Sequence, residues 1–300
     1  MTPFFTELKH RFNAGSIAAK YIYINVGVFI LIRICIIVCQ LFMKEATFIG
    51  YLEMPSDPVL LMCRPWTVLT YMFVHLDFLH IIFNMLWLYW FGKIFLQFFT
   101  GRQLGGLYLL GGIAGGLLFW IAYNTFPYLK IMAASSFLIG ASASVMAIVF
   151  AIAFYRKNYM INLLLIGPVK LIYLAIGVLL IDILAVTSEN AGGHIAHIGG
   201  ASLGILFASS YQKGKDITDY FNRLIDRAVN FFRHKPVFKT YRTNPDNQSY
   251  RPPTETDDAY FRRKSEENRV IDAILDKLKH SGYESLSADE KKRLFDESRK

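Results

Sequence analysis

The chain has 300 residues, of which 54% are hydrophobic and only 18% charged, and carries a formal net charge of +9. That balance excludes a disordered protein and departs from ordinary soluble domains, which have fewer apolar and more charged residues. A nucleic-acid grip is excluded too, because many of the basic residues lie in the C-terminal third, interleaved with acids rather than gathered on one face.

Stretches with few charges run near residues 22–43, 71–99, 103–128, 137–155, 168–187 and 193–211. A bilayer core takes about 20 apolar residues per helix. Six spans therefore fit before residue 212, and the predicted class is all-α: a polytopic membrane protein with a soluble tail. The first span begins only after Lys20 and lacks a small-residue cleavage site, so it reads as a retained helix behind a short N-terminal segment, residues 1–20. Lys9, Arg11 and Lys20 precede it, Lys93 and Arg102 follow the second span, Arg156 and Lys157 the fourth, Lys213 and Lys215 the sixth. The opposite loops hold only Lys44, Arg64 and Lys130, spread over long stretches. Positive residues resist translocation, so both termini are expected in the cytoplasm of a cell-membrane, multi-pass protein. The even number of spans agrees.

Within the first span, Cys35 and Cys39 read as apolar filler; with Cys63 they make neither a disulfide framework nor a metal-ligand spacing. Arg33 lies at membrane depth in the same span. The loop from 44 to 70, with Phe48, Tyr51, Leu52, Met62 and Trp66, is amphipathic enough to rest in the outer interface.

The second span carries His75, His80 and Asn84, with the last two at i and i+4 and so on one helical face. Each histidine alone reads as a satisfied structural residue. Stacked side chains, however, can both donate to one developing anion. Zinc would need three or four converging ligands, usually with a Glu or Cys among them. No Glu or Cys accompanies these histidines and no H-E-x-x-H occurs, so neither a metal nor another cofactor is expected.

The fourth span is too short. Read back from Arg156 and Lys157, the helical pattern reaches about Ser142, and beyond lie Gly140 and the pair Ser135 and Ser136. About 14 residues rise roughly 21 Å, against a hydrocarbon thickness of roughly 30 Å. The helix should start inside the membrane, with residues from about 134 to 141 descending into a wet cleft that has Ser142 at its bottom. A serine there has an ordinary use as an N-cap. Its setting offers another: Gly140 permits close backbone approach, Ala141 and Ala143 leave the hydroxyl open, and the unpaired N–H groups of the first turn suit an oxyanion.

The fifth span places Asp182 near its middle. Charges at such depth default to functional hypotheses, but structural pairing, or snorkelling of Arg33, reads at least as well because neither residue belongs to a cluster of chemical groups. In the sixth span, Gly200 and Gly204 form a G-x-x-x-G pair that lets another helix approach. His197, at i−3 from Gly200, lies on that face at a depth like that of Ser142. His194, one turn earlier and nearer bulk water, is a competing base.

Together the Trp66 region, His75-x4-His80-x3-Asn84, Gly140-Ala141-Ser142-Ala143 and Ala196-His197-x2-Gly200-x3-Gly204 resemble the rhomboid family of intramembrane serine proteases, over about residues 60–211. The resemblance implies a six-helix bundle over residues 21–211 with a short central fourth helix. By it Ser142 is the nucleophile and His197 the general base. His80, Asn84 and the Ser142 backbone amide stabilise the oxyanion, while His75, Gly140, Met146, Gly200 and Gly204 shape the site. Ala143 stands where many members have Gly, and Met146 where some bacterial members have an aromatic residue. No acid orients the imidazole, so packing is expected to hold its tautomer. The implied substrates are transmembrane proteins within the lipid bilayer, admitted near the 188–192 loop and the outer part of the fifth span. A catalytically silent relative that binds membrane helices is the alternative. A proton-coupled carrier would need paired half-helices in an inverted repeat, whereas only the fourth span reads as short.

Beyond the spans, Tyr220, Phe221, Leu224, Ile225, Ala228, Val229 and Phe232 form an apolar stripe opposite Arg223, Arg227 and Arg233, predicting a juxtamembrane amphipathic helix over 212–233. It lies on the anionic leaflet or packs on the bundle. Four prolines mark a linker over 234–264. Residues 265–300 read as a small helical hairpin, with a capping box at Ser287 and Glu290, too small to bury much core alone and expected to dock on an unidentified cytoplasmic partner.

Overall fold

The computed structural model describes residues 3–163, 167–232 and 257–297. They fall into two compact units, within residues 1–234 and 235–300. The first unit begins with α1 (Pro3–Ala14) and α2 (Ile17–Leu41). A long loop then carries β1 (Met54–Pro55), α3 (Pro58–Cys63) and α4 (Thr67–Thr70). Next come α5 (Phe78–Phe95), α6 (Gly101–Thr125), the single turn α7 (Pro127–Lys130), β2 (Phe137–Leu138) and α8 (Ser142–Tyr155). A hairpin of β3 (Met160–Leu163) and β4 (Gly167–Lys170) leads to α9 (Leu171–Leu184), α10 (Ala191–Gln212) and α11 (Ile217–Phe232).

Helices α2, α5, α6 and α10 are long and apolar enough to cross a membrane, and α8 and α9 are shorter apolar helices. The six make a polytopic helical membrane bundle with α8 at its centre. Apolar all round, α8 has every residue from Ala143 to Ala153 buried. Peripheral α2 buries only Ala18, Asn25 and Ile32 and turns Leu31, Ile34, Ile37 and Leu41 outward, the pattern of a lipid-facing helix.

Local capping chemistry sets boundaries that the hydropathy runs blur. Asp77 accepts the His80 backbone N–H at 2.8 Å and starts α5, so His75 precedes the second span rather than lying within it. Thr100 and Gln103 form a capping box that starts α6. The first span begins at Ile17 and takes Lys20 into its first turn, with Ser16 as its cap. The fifth span is corrected more strongly. Its predicted start, 168–170, belongs to β4, which pairs antiparallel with β3 from Met160 opposite Lys170 to Leu163 opposite Gly167. Helix α9 is left with 14 residues, so the fourth span is not the only short one.

The anticipated glycine face of α10 packs on α8. A Cβ at Gly200 would lie 2.0 Å from the Ala143 carbonyl oxygen, and one at Gly204 2.3 Å from that of Ala147. Backbone therefore rests on backbone, which holds the two helices in one relative position. At the other end of the bundle, α11 docks on α6 through polar residues rather than its apolar stripe. Thr218 and Asn222 are buried, Asn222 Nδ2 donates to the Arg102 carbonyl at 3.1 Å, and Arg102 pairs with Asp226. Tyr220, Leu224 and Val229 stay exposed, so the stripe is free to meet lipid.

The second unit is a helical hairpin of α12 (Asp257–Ser281) and α13 (Ala288–Glu297). The residues predicted as linker over 257–264 are the first turns of α12. The remaining predicted linker, 234–256, lies outside the described residues. The capping box is present: Glu290 N–H donates to Ser287 Oγ and Ser287 N–H to Glu290 Oε2. Lys277 ties α12 to the same carboxylate at 2.9 Å.

Candidate active site

After a 3-10 turn over Ala133–Ser135, the chain entering α8 is non-helical from Ser136 to Ala141, as the length arithmetic required. Phe137 and Leu138 pair with Pro55 and Met54, and the Ser56 N–H donates to the Ser136 carbonyl. Gly140 then adopts φ +106°, a conformation that side chains rarely take, and donates its N–H to the Tyr71 carbonyl at 2.9 Å. A Cβ there would also meet the His80 ring at 2.7–2.8 Å. Gly140 thus turns the backbone and lets the imidazole lie against it.

Ser142 is the first helical residue of α8, and the cap position belongs to Ala141 without any side-chain bond. The hydroxyl is therefore not engaged in capping. As the first helical residue, Ser142 has a backbone N–H with no partner inside the helix. The neighbouring Ala141 N–H goes to Nε2 of the buried His75 at 3.3 Å, which fixes the turn from below. The Ala143 methyl points away from the site onto α6, where a Cβ at Gly115 would lie 2.5 Å from it.

A cavity of about 730 Å³ opens over the start of α8. Ser142, His197, His80, Asn84 and Met146 all line it, with Phe83 and Trp87 of α5, Val178 of α9, and Glu189, Asn190, Gly192 and Gly193 around the start of α10. Asn84 is nearly buried, and its Nδ2 donates to the His80 carbonyl at 2.9 Å, which leaves the second amide hydrogen available. The sequence-derived residues are thus brought together by four elements: the loop and N-terminus of α8, α5 and α10.

One expectation fails here. The imidazole is not held by packing alone: His197 Nδ1 lies 2.9 Å from Oδ1 of Asp182, which is 3% exposed. His194 Nδ1 lies 2.8 Å from the same oxygen, so Asp182 belongs to a cluster after all. The signal was available in the lengths. A turn of six residues, 185–190, makes α9 and α10 antiparallel neighbours, and Asp182 near the end of one then stands level with His194 and His197 near the start of the other. Of the two histidines, only His197 lines the cavity. Arg33 is different: it is exposed on α2, and no ion pair involves it among the described residues.

Residues 62–213 match the Rhomboid domain family, and the chain belongs to that family. Residues 254–300 match a family of unknown function, DUF6576. The chain is also similar to RHOMBOID-like protein 12, mitochondrial, of Arabidopsis thaliana, with 28% identity over 200 residues, 64% of this chain and 57% of that protein. It therefore spans little more than half the length of this curated relative.

Proposed function

We propose that the chain is an intramembrane serine endopeptidase that cleaves transmembrane helices of other membrane proteins. The observation that carries this reading is the shared cavity: a serine hydroxyl not engaged in capping, at a helix start inside the bundle, lines the same space as an imidazole, a second histidine and a carboxamide. An ionised carboxylate only accepts, so Asp182 holds the hydrogen of His197 on Nδ1 and leaves Nε2 to act as base. His197 takes the Ser142 proton as the oxygen attacks a peptide carbonyl, and returns it to the leaving amine. The Ser142 N–H, His80 and Asn84 donate to the oxyanion. Asp182 is a positioning residue in this scheme.

The cavity wall contains residues of both α5 and α9 together with the 189–193 turn, which suits a substrate helix arriving from the side between them. The helix must unwind there to expose a carbonyl. The clustering of Lys93, Arg102, Arg156, Lys157, Lys213 and Lys215 at the opposite ends of the helices supports the reading that both termini face the cytoplasm.

The test is cleavage of a model single-span substrate by the purified protein and by Ser142→Ala and His197→Ala. Activity confined to the unaltered chain supports the proposal. Equal turnover in all three removes the serine mechanism, and substrate retention without any cleavage would favour a silent helix-binding relative.

A further inference from the structure

The proposed mechanism leaves two groups of the Asp182 cluster without a task. His194 aims Nδ1 at Asp182 Oδ1 from outside the cavity, 2.8 Å away. Asp182 Oδ2 is buried with no hydrogen-bond partner among the described residues. Buried polar atoms in folded proteins are nearly always paired, and an ionisable group within a membrane bundle without full pairing calls for an explanation.

We propose that Asp182, His194 and His197 form an inhibitory site for a divalent transition-metal ion, with Zn²⁺ the ion it fits best. One ligand atom from each residue already lies within 4.8 Å of the others. Two imidazoles and one carboxylate are a zinc ligand set that leaves a fourth position for water. Nitrogen donors argue against Mg²⁺ and Ca²⁺, which take oxygen. Tetrahedral zinc with bonds of about 2.0–2.1 Å separates its ligands by about 3.3 Å. The present N···O separations of 2.8 and 2.9 Å need to open by a few tenths of an ångström, while the two imidazole nitrogens, within 4.8 Å of each other, draw together to the same spacing by rotation of their side chains. All three residues stand on two helices joined by one short turn, so no distant segment has to move.

The consequence for catalysis follows from the two ring nitrogens. In the metal-free site the His197 proton sits on Nδ1, facing Asp182, and Nε2 accepts. When Nδ1 binds the ion, the same proton must sit on Nε2, which then donates and cannot take the Ser142 proton. One imidazole thus serves the ion or the serine but not both. Ion binding stands on the cluster alone, whereas the inhibitory consequence rests on the protease reading.

The experiment titrates Zn²⁺ into untagged, full-length Ser142→Ala by calorimetry in metal-free detergent. One ion per chain is expected, with a rise in thermal midpoint. Adding His194→Ala or Asp182→Asn should weaken binding by at least the about 10- to 100-fold that losing even an outer-sphere partner costs, and should abolish the midpoint shift. No binding, or affinity unchanged by His194→Ala, overturns the proposal. In the cleavage assay Zn²⁺ should inhibit the unaltered chain, reversibly on chelation, while His194→Ala resists relative to its own zinc-free rate. Equal inhibition in both overturns it. Should the chain cleave nothing, the protease reading fails, and the calorimetry still decides whether the ion site exists.

Discussion

His197 and Asp182, 15 residues apart on adjacent helices, meet through Nδ1 and Oδ1 at 2.9 Å with the carboxylate almost fully buried. A carboxylate in that position fixes which nitrogen carries the hydrogen. Asp182→Asn keeps the shape but can offer an N–H to Nδ1, stabilising the tautomer whose Nε2 cannot act as base. The expected result is a fall in kcat of roughly 10²- to 10⁴-fold with little change in KM, and a thermal midpoint near that of the unaltered chain. An unchanged kcat would leave Asp182 with a structural role only.

The contact of α10 with α8 makes a second prediction, one of contrast. Gly200→Ala drives a methyl to 2.0 Å from the Ala143 carbonyl oxygen, and the obstacle is backbone that cannot rotate away. The helices must part, at a cost of about 1–3 kcal/mol or more, and Ser142 moves relative to His197. Gly177→Ala in α9 meets nothing within 4 Å among the described residues and should be neutral or stabilising by up to about 1 kcal/mol. Thermal midpoints in detergent compare the two. Equal midpoints would mean that the α8–α10 contact is looser than its geometry indicates.

How much of this was legible follows from which signals are local. The start of α8 could be read because Arg156 and Lys157 fix its far end and 14 residues do not reach across a bilayer. The G-x-x-x-G pair was legible as a close-packing face, though not its partner. Helix starts at Asp77 and Thr100 were written in capping residues that continuous hydropathy obscures. The β3–β4 hairpin escaped notice because Gly167 and Pro168 stand next to an apolar run that reads as one span. Asp182 escaped because its partners lie 12 and 15 residues on, and only the turn between α9 and α10 brings them level. The polar docking of α11 was not visible in its apolar stripe, because Thr218 and Asn222 are covered only where α6 presents Gly106 to them.

Asn84 provides a third prediction. Its Nδ2 is held by the His80 carbonyl, so one amide hydrogen remains available in the cavity that Asn84 lines before any substrate arrives. A donor aimed at charge that develops only in the transition state affects kcat rather than KM. Asn84→Ala is expected to lower kcat by roughly 10²- to 10³-fold, and His80→Ala to act similarly, with the double variant falling short of the product because both serve one oxyanion. If KM rises instead while kcat holds, Asn84 contacts the ground-state substrate and the oxyanion assignment is wrong.

The hairpin carries a pH dependence of its own. The Ser287 N–H, and after it Lys277, hold the Glu290 carboxyl below the usual carboxylate range. A carboxylate depressed in the folded state stabilises fully above its unfolded value and loses that contribution as pH falls through the lowered one. The junction of α12 and α13 should therefore loosen in acid, seen as falling hydrogen-exchange protection of the Ser287 and Glu290 amides once intrinsic rates are corrected. Glu290→Gln retains a side chain able to accept from the Ser287 N–H but has no charge to lose and no ion pair with Lys277. Its protection should be lower at neutral pH and flat across the acid range. A variant that still loses protection in acid would place the titrating group elsewhere in the hairpin.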